Sequence, residues 1–244
     1  MELIVFLSAL KYRLVPKLKQ FGRNYSENQK ASYSQCGEDL ILQQLFTVLG
    51  IAKVSYLDVG AHHPTYLSNT YLFYEKGGHG VCVEPDPLLF REFAEKRPHD
   101  VTLNCGVGVS SGEADFFIMS TSTLNTFSKV EAERYQSYGK QCIVKTIKIE
   151  LKTINEIIAK NFEKYPNLVS LDIEGLDYLI LQNFDFEKYR PEVFCLETLS
   201  YTEDKSERKL TEIIDLMHAN GYMTYADTYI NTIFVDNLAW KNRL

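Results

Sequence analysis

The chain predicts an α/β fold on a largely parallel sheet, and three observations carry that expectation. Short β-rich runs (Val54–Val59, Gly80–Glu84, Val101–Asn104, Leu168–Asp172, Val193–Glu197) are separated by stretches long enough for crossover helices. Several runs end in a polar or acidic residue, which suits strands whose carboxyl ends border a ligand crevice. The last two runs, Gly221–Ala226 and Thr232–Val235, are joined by a turn at about 228–231 and read as a terminal antiparallel hairpin.

In chain order, residues 1–32 read as a segment and linker outside the domain. Met1–Leu10 is mostly apolar, and Lys11, Arg13, Lys17, Lys19 and Arg23 follow it. A secretory signal carries its charge before the apolar run, so that reading is rejected. The segment suits either weak contact with an anionic membrane surface or a terminal helix or frayed end. A helix over about 35–49 follows, with Leu40, Ile41, Leu45, Val48 and Leu49 at helical spacing, Ser34 as its cap and Gly50 as its stop. The domain then occupies 33–244. An insertion at about 114–152 holds two strands, Ala114–Met119 and Ile143–Ile149, around a polar middle, and reads as a substrate lid or as surface elaboration.

Composition narrows the function classes. The 244 residues carry 26 Lys+Arg against 32 Asp+Glu, a formal charge of −6, which disfavours a nucleic-acid partner. No run approaches the roughly 18 apolar residues of a spanning helix. Cys36, Cys82, Cys105, Cys142 and Cys195 are odd in number and scattered, without a C-x-x-C pair, which fits a reducing cytoplasm better than a disulfide framework or structural zinc.

The acidic and polar strand ends, Asp58, Glu84, Asn104, Asp172 and Glu197, are expected along one rim. Gly60 supplies the close approach that a ligand needs after the first strand. The G-x-G-x-x-G of a nicotinamide site is missing, and Asp58 would repel a phosphate but not a cation. Glu84 can accept hydrogen bonds from the vicinal hydroxyls of a ribose, and Asn104 with the backbone up to Val107 can face an adenine edge. Together these describe a nucleoside site with a cationic tail, a pattern that S-adenosyl-L-methionine matches.

With these pieces in order, the chain resembles the FkbM family of S-adenosylmethionine-dependent methyltransferases. The resemblance rests on SQCGEDLIL (Ser34–Leu42), YLDVGAHHP (Tyr56–Pro64), VCVEPDP (Val81–Pro87), LNCGVG (Leu103–Gly108), VSLDIEGLD (Val169–Asp177), Glu197 and NTIFV (Asn231–Val235). It implies a seven-stranded Rossmann-like sheet, mostly parallel. It also implies Asp58 and Gly60 near the methionine part of the donor, Glu84 near its ribose, Asn104 to Val107 near its adenine, and Gln35 or Glu38 reaching the site. The chain departs from the family's common D-x-G-A-N-x-G form at His62 and Pro64.

Methyl transfer to a hydroxyl asks the enzyme to position the acceptor and take its proton. The candidate bases are His62, His63, Asp172 and Glu174, against capping or surface roles for each. A divalent cation held by Asp172 and Glu174, with Glu197 or a histidine, is an alternative use of the same acids. Tyr66, Ser68, Asn69, Thr70, Thr228 and Asn231 are further candidates for the pocket. The expected function is O-methylation of a carbohydrate, nucleotide-sugar or related small molecule in the cytoplasm, peripheral to the membrane if the first segment binds lipid. The alternatives are a non-catalytic nucleoside-binding module and a nicotinamide oxidoreductase, the latter disfavoured by its missing glycines. No motif specifies an oligomeric state.

Overall fold

The strands of the main sheet are β1 (Ser55–Val59), β2 (His79–Val83), β3 (Val101–Leu103), β7 (Leu168–Leu171), β8 (Val193–Glu197), β9 (Tyr222–Asp227) and β10 (Asn231–Asp236), in the order β3-β2-β1-β7-β8-β10-β9. β10 pairs antiparallel with both β8 and β9, and the other pairings are parallel. This is the seven-stranded, mostly parallel sheet with a C-terminal antiparallel hairpin that the sequence predicts. The computed structural model describes residues 30–173, 175–200 and 207–244. The basic segment at 1–23 and the candidate Glu174 therefore lie outside the described residues.

Alternating side chains feed two cores, one on each face. Leu57, Val59, Val81, Val83, Val169, Leu171, Phe194 and Leu196 join a cluster with α5 (Ile154–Asn161), α6 (Asp177–Gln182) and α7 (Thr211–Ala219). Tyr56, Cys82, Leu168, Val193, Cys195, Ile233 and Val235 pack on the opposite face with Leu42, Leu45 and Phe46 of α1 (Glu38–Val48), Phe73 of α2 (Tyr71–Glu75) and Phe93 of α3 (Pro87–Lys96). Each such fully buried apolar side chain contributes roughly 1.5–3 kcal/mol.

Local chemistry sets the helix starts. α3 begins with Pro87 in its first turn, and Asp86 caps it by accepting the N–H of Leu88 at 2.8 Å. α5 carries a capping box between Thr153 and Glu156, and its Ile154, Ile157 and Ile158 form one buried stripe. α1 starts three residues later than the periodicity suggests, because Gly37 adopts φ 89° at its N-cap. Ser34 still serves this turn, accepting the N–H groups of Gly37 and Asp39.

The stretch after β3 holds a second sheet. β4 (Gly106–Val107), β5 (Gly112–Met119) and β6 (Ile143–Lys152) pair in the order β4-β6-β5, with α4 (Lys129–Ser137) between β5 and β6. Gly106 and Val107, whose backbone is expected from sequence to face an adenine edge, form a parallel edge against Leu151 and Lys152. A Cβ at Gly106 would run into the Phe127 ring and Leu151, so glycine lets this edge meet the tract that follows β5. A helix long and apolar enough to cross a membrane does not occur among the described residues.

Candidate functional site

A cavity of about 360 Å³ opens at the carboxyl ends of β1, β2, β7 and β8, where open α/β sheets place their ligands. Gly60, His62, Glu84, Val107, Gln35 and Asp172 line it, together with Glu197. The opposite wall, Phe116 and Ser122–Phe127, comes from the second sheet and the tract after β5. The insertion thus borders the cavity. Of the sequence candidates, Asp58, His63 and Asn104 do not line it.

Gly60 sits where β1 ends. Its φ is 75°, and a Cβ there would overlap the carbonyl oxygen of Asp172. The N–H groups of Gly60 and Ala61 donate to Val83 O, and that of Asp172 donates to Val59 O, so three strand ends are knitted at this point.

Glu84, one residue past β2, is 4% exposed and organises the next turn. Its Oε2 accepts the N–H of His62 and its Oε1 that of Asp86, each at 2.7 Å. Burial pushes its pKa up to about 8 against the pull of these two N–H groups. Each oxygen keeps acceptor capacity beyond these bonds.

His62 adopts φ 51° and lines the cavity. Its Nε2 shares a 3.1 Å hydrogen bond with Ser122 Oγ of the opposite wall, while Nδ1 is buried without a partner. Burial, and then the neighbouring His63, lower its pKa, which favours the neutral ring.

Asp172 follows β7 and Glu197 ends β8. The register pairs Leu171 with Leu196, so these two acids are the next rung, with their carboxyls within hydrogen-bonding reach of each other. Burial raises the Asp172 pKa to about 6, and the charges of Asp58 and Glu38 add to that rise. Asp177, in the first turn of α6, accepts the N–H of Ile173 and is raised to about 7, chiefly by burial.

The structure redirects the remaining candidates. Asp58, expected beside the donor's methionine end, is 5% exposed and turned onto the α1 face, where Thr70 Oγ1 donates to it at 2.5 Å. Burial raises its pKa, offset in part by Arg97. Arg97, absent from the sequence reading, is fully buried. It donates to Asp100 Oδ2 at 2.7 Å and to Thr70 Oγ1 at 3.0 Å, reaches Pro64 O, and lies over the Tyr56, Tyr74 and Phe93 rings. It thereby holds the loop that carries His62 and His63 at Pro64 and Thr70. A lone arginine between a helix end and the next strand gives no sequence signal for that role.

His63, a candidate base, instead accepts the N–H groups of Thr65 and Tyr66 on Nδ1 and pairs with Glu92 through Nε2 at 3.3 Å. Both ring nitrogens are engaged in holding its own turn. Asn104 is exposed, and its Nδ2 donates to Glu84 O and Pro85 O, tying β3 to the turn after β2.

Glu38 is buried, accepting from Thr228 Oγ1 at 2.7 Å, Cys36 N and Asn231 Nδ2. These bonds outweigh burial and hold its pKa below the usual range. It joins α1 to the β9–β10 turn, which also accounts for Thr228 and Asn231. Asn69 donates to Ser170 Oγ, and Tyr66 is exposed outside the cavity wall. Among the described residues, no group of three His, Cys, Asp or Glu side chains is placed to hold a metal ion.

The wall residues Ser122–Phe127 escaped the sequence reading. Their only signal is a Ser/Thr/Asn tract between two strands.

No curated protein matches the chain. Among solved structures it is similar to the methyltransferase FkbM from Methylobacillus flagellatus KT, with 14% identity over 75% of this chain and 44% of that one and a TM-score of 0.41. It thus spans less than half the length of that protein. It is also similar to an O-methyltransferase from Bacillus cereus in complex with SAH (12% identity, 88% of this chain and 86% of that one, TM-score 0.43). A third similar structure is the 1,6-didemethyltoxoflavin-N1-methyltransferase from Burkholderia thailandensis, bound to S-adenosylhomocysteine (11% identity, 94% and 87%, TM-score 0.41). The methyltransferase FkbM domain matches residues 58–223, more than half of the chain, and the protein therefore belongs to the FkbM methyltransferase family.

Proposed function

We propose that the protein is an S-adenosyl-L-methionine-dependent O-methyltransferase acting on a hydroxyl of a carbohydrate, nucleotide-sugar or related small molecule. The observation that supports it most is Glu84, a buried acid on the cavity wall whose two oxygens are aimed by backbone N–H groups and can still accept hydroxyl donors. A ribose is a fitting partner for such a group. In this reading Gly60 and the Gln35 amide hold the methionine end, and the apolar surface of Cys105 and Val107 takes the adenine. Lysine and arginine are absent from the described wall, which suits a sulfonium. Bound there, the donor supplies a methyl group already activated for displacement.

The chain's own work is to orient the acceptor, exclude water and receive the hydroxyl proton. His62 and Asp172 line the cavity, and each offers a group for the proton. Glu174 is kept as a candidate for the same task. A divalent metal is left out of this reading, since proton transfer to these side chains needs none. Five free cysteines support a cytoplasmic setting, and the basic first segment supports weak contact with a membrane surface.

Isothermal titration with S-adenosylmethionine and S-adenosylhomocysteine tests the reading, and binding of both is expected. Absence of heat with either ligand overturns it. Mass spectrometry across a panel of glycosides and nucleotide-sugars then reads the acceptor as the gain of one methyl group. Binding without transfer to any panel member would favour the non-catalytic alternative.

A further inference from the structure

We propose that Asp172 and Glu197 act as one proton-sharing dyad that takes the acceptor's hydroxyl proton, which makes Glu197 a catalytic residue beside Asp172. This rests on the methyltransferase reading above and deepens it.

The two acids leave adjacent parallel strands one position beyond the Leu171–Leu196 pair, so they lie side by side on the same face of the sheet. Both line the cavity, and their carboxyls are within hydrogen-bonding reach of each other. Ionised carboxylates only accept hydrogen bonds, so a bond between the two requires one proton. Like charges this close cannot both ionise at ordinary cost, and the pair behaves as a single site with two macroscopic steps.

The groups facing the pair keep that proton in place. Asp58 on β1 and Glu38 at the start of α1 add negative charge at Asp172, and Asp177 on α6 is coupled to it by charge. Burial acts in the same direction, holding Asp172 at about 6. In the proposed resting state the dyad carries one proton and one negative charge, because the second ionisation of such a pair is pushed above that of an isolated carboxyl. As the acceptor's O–H bond breaks, its proton moves to the ionised carboxyl. The oxygen's electron pair forms the new O–CH3 bond, and the S–CH3 pair returns to sulfur as a neutral thioether. The dyad ends with two protons and releases one to solvent.

The test uses the full chain and two isosteric variants, Asp172→Asn and Glu197→Gln. In protein with 13C-labelled carboxyl groups and saturated with S-adenosylhomocysteine, the Asp172 and Glu197 carbons should titrate together in two steps. Glu197→Gln should collapse Asp172 to a single step. An Asp172 titration unchanged by Glu197→Gln overturns the dyad, whether or not an acceptor has been found.

With labelled S-adenosylmethionine and a panel of methyl glycosides, each variant should lower kcat at least 100-fold, in the range general-base catalysis supplies. The double variant should be no slower than either single one, and Kd for S-adenosylhomocysteine should stay within threefold. Wild-type turnover in Glu197→Gln overturns the catalytic role, and loss of transfer after chelation overturns it in favour of a metal. Failure of wild type to bind S-adenosylhomocysteine overturns the methyltransferase reading itself. In that case the same titration, run on ligand-free protein, still decides whether the two acids share a proton.

Discussion

Glu84 Oε2 accepts the backbone N–H of His62 at 2.7 Å, so the acid that follows β2 holds the turn that leaves β1. Its other oxygen takes the N–H of Asp86 at the start of α3. One buried side chain thus ties together two of the turns that border the cavity, and the His62 ring reaches from there to Ser122 on the far wall.

Glu84→Gln keeps the side-chain size but removes the charge. Affinity for S-adenosylhomocysteine should fall at least tenfold in calorimetric titration, since charge-assisted bonds to a diol are worth about 1.5–3 kcal/mol. In wild type the free carboxyl takes up its proton below about pH 8, while hydroxyl donors favour the ionised form. Binding should therefore release a proton at pH 7, and affinity should rise from pH 6.5 to pH 8.5. Equal affinity across that window would count against Glu84 as the ribose acceptor.

Gly60→Ala meets two obstacles, a positive φ and the carbonyl oxygen of Asp172. We expect a loss of at least about 2 kcal/mol of stability in urea unfolding, from strain and displaced strand ends together.

Arg97→Met removes the cation from a pocket that also buries Asp100 and Asp58. Leaving buried carboxylates without their partner should cost about 3–5 kcal/mol, read as a lower urea midpoint at unchanged slope. Arg97→Lys should recover little of this, because an ammonium cannot reach Asp100, Thr70 and Pro64 as a planar fork does.

His63→Ala removes the acceptor for two N–H groups in an exposed turn and should cost about 1 kcal/mol. Donor affinity and methyl transfer should stay within twofold of wild type. A hundredfold loss of kcat with stability intact would return His63 to the candidate bases.

Glu84, Asp177 and Asp172 have their folded pKa values raised to about 8, 7 and 6, above the ordinary carboxylate range near 4. The folded chain therefore binds more protons than the unfolded chain across that window. Stability supplied by these acids is full below about pH 4 and is lost as pH rises through 6, 7 and 8. Calorimetry of the ligand-free protein should show a lower Tm at pH 8.5 than at pH 5.5. Glu38, whose folded pKa is lowered, works in the opposite sense and loses its contribution in acid.

By itself the sequence determined the parallel sheet, its terminal hairpin, and the acids that follow or end its strands, because strand periodicity, turn residues and crossover lengths are local properties of the chain. Tertiary structure decided which of those acids meet the cavity. Asp58 and Glu84 look alike in sequence, each an acid at a strand end. Asp58 still lies within β1, so side-chain alternation turns it onto the face covered by α1, α2 and α3 and into Arg97's network, whereas Glu84 has passed the end of β2 and reaches the cavity wall. The pairing of Asp172 with Glu197, the Ser122–Phe127 wall and the buried Arg97 join residues far apart in the chain. Such neighbours follow from strand order and register, which no local pattern of residue types encodes.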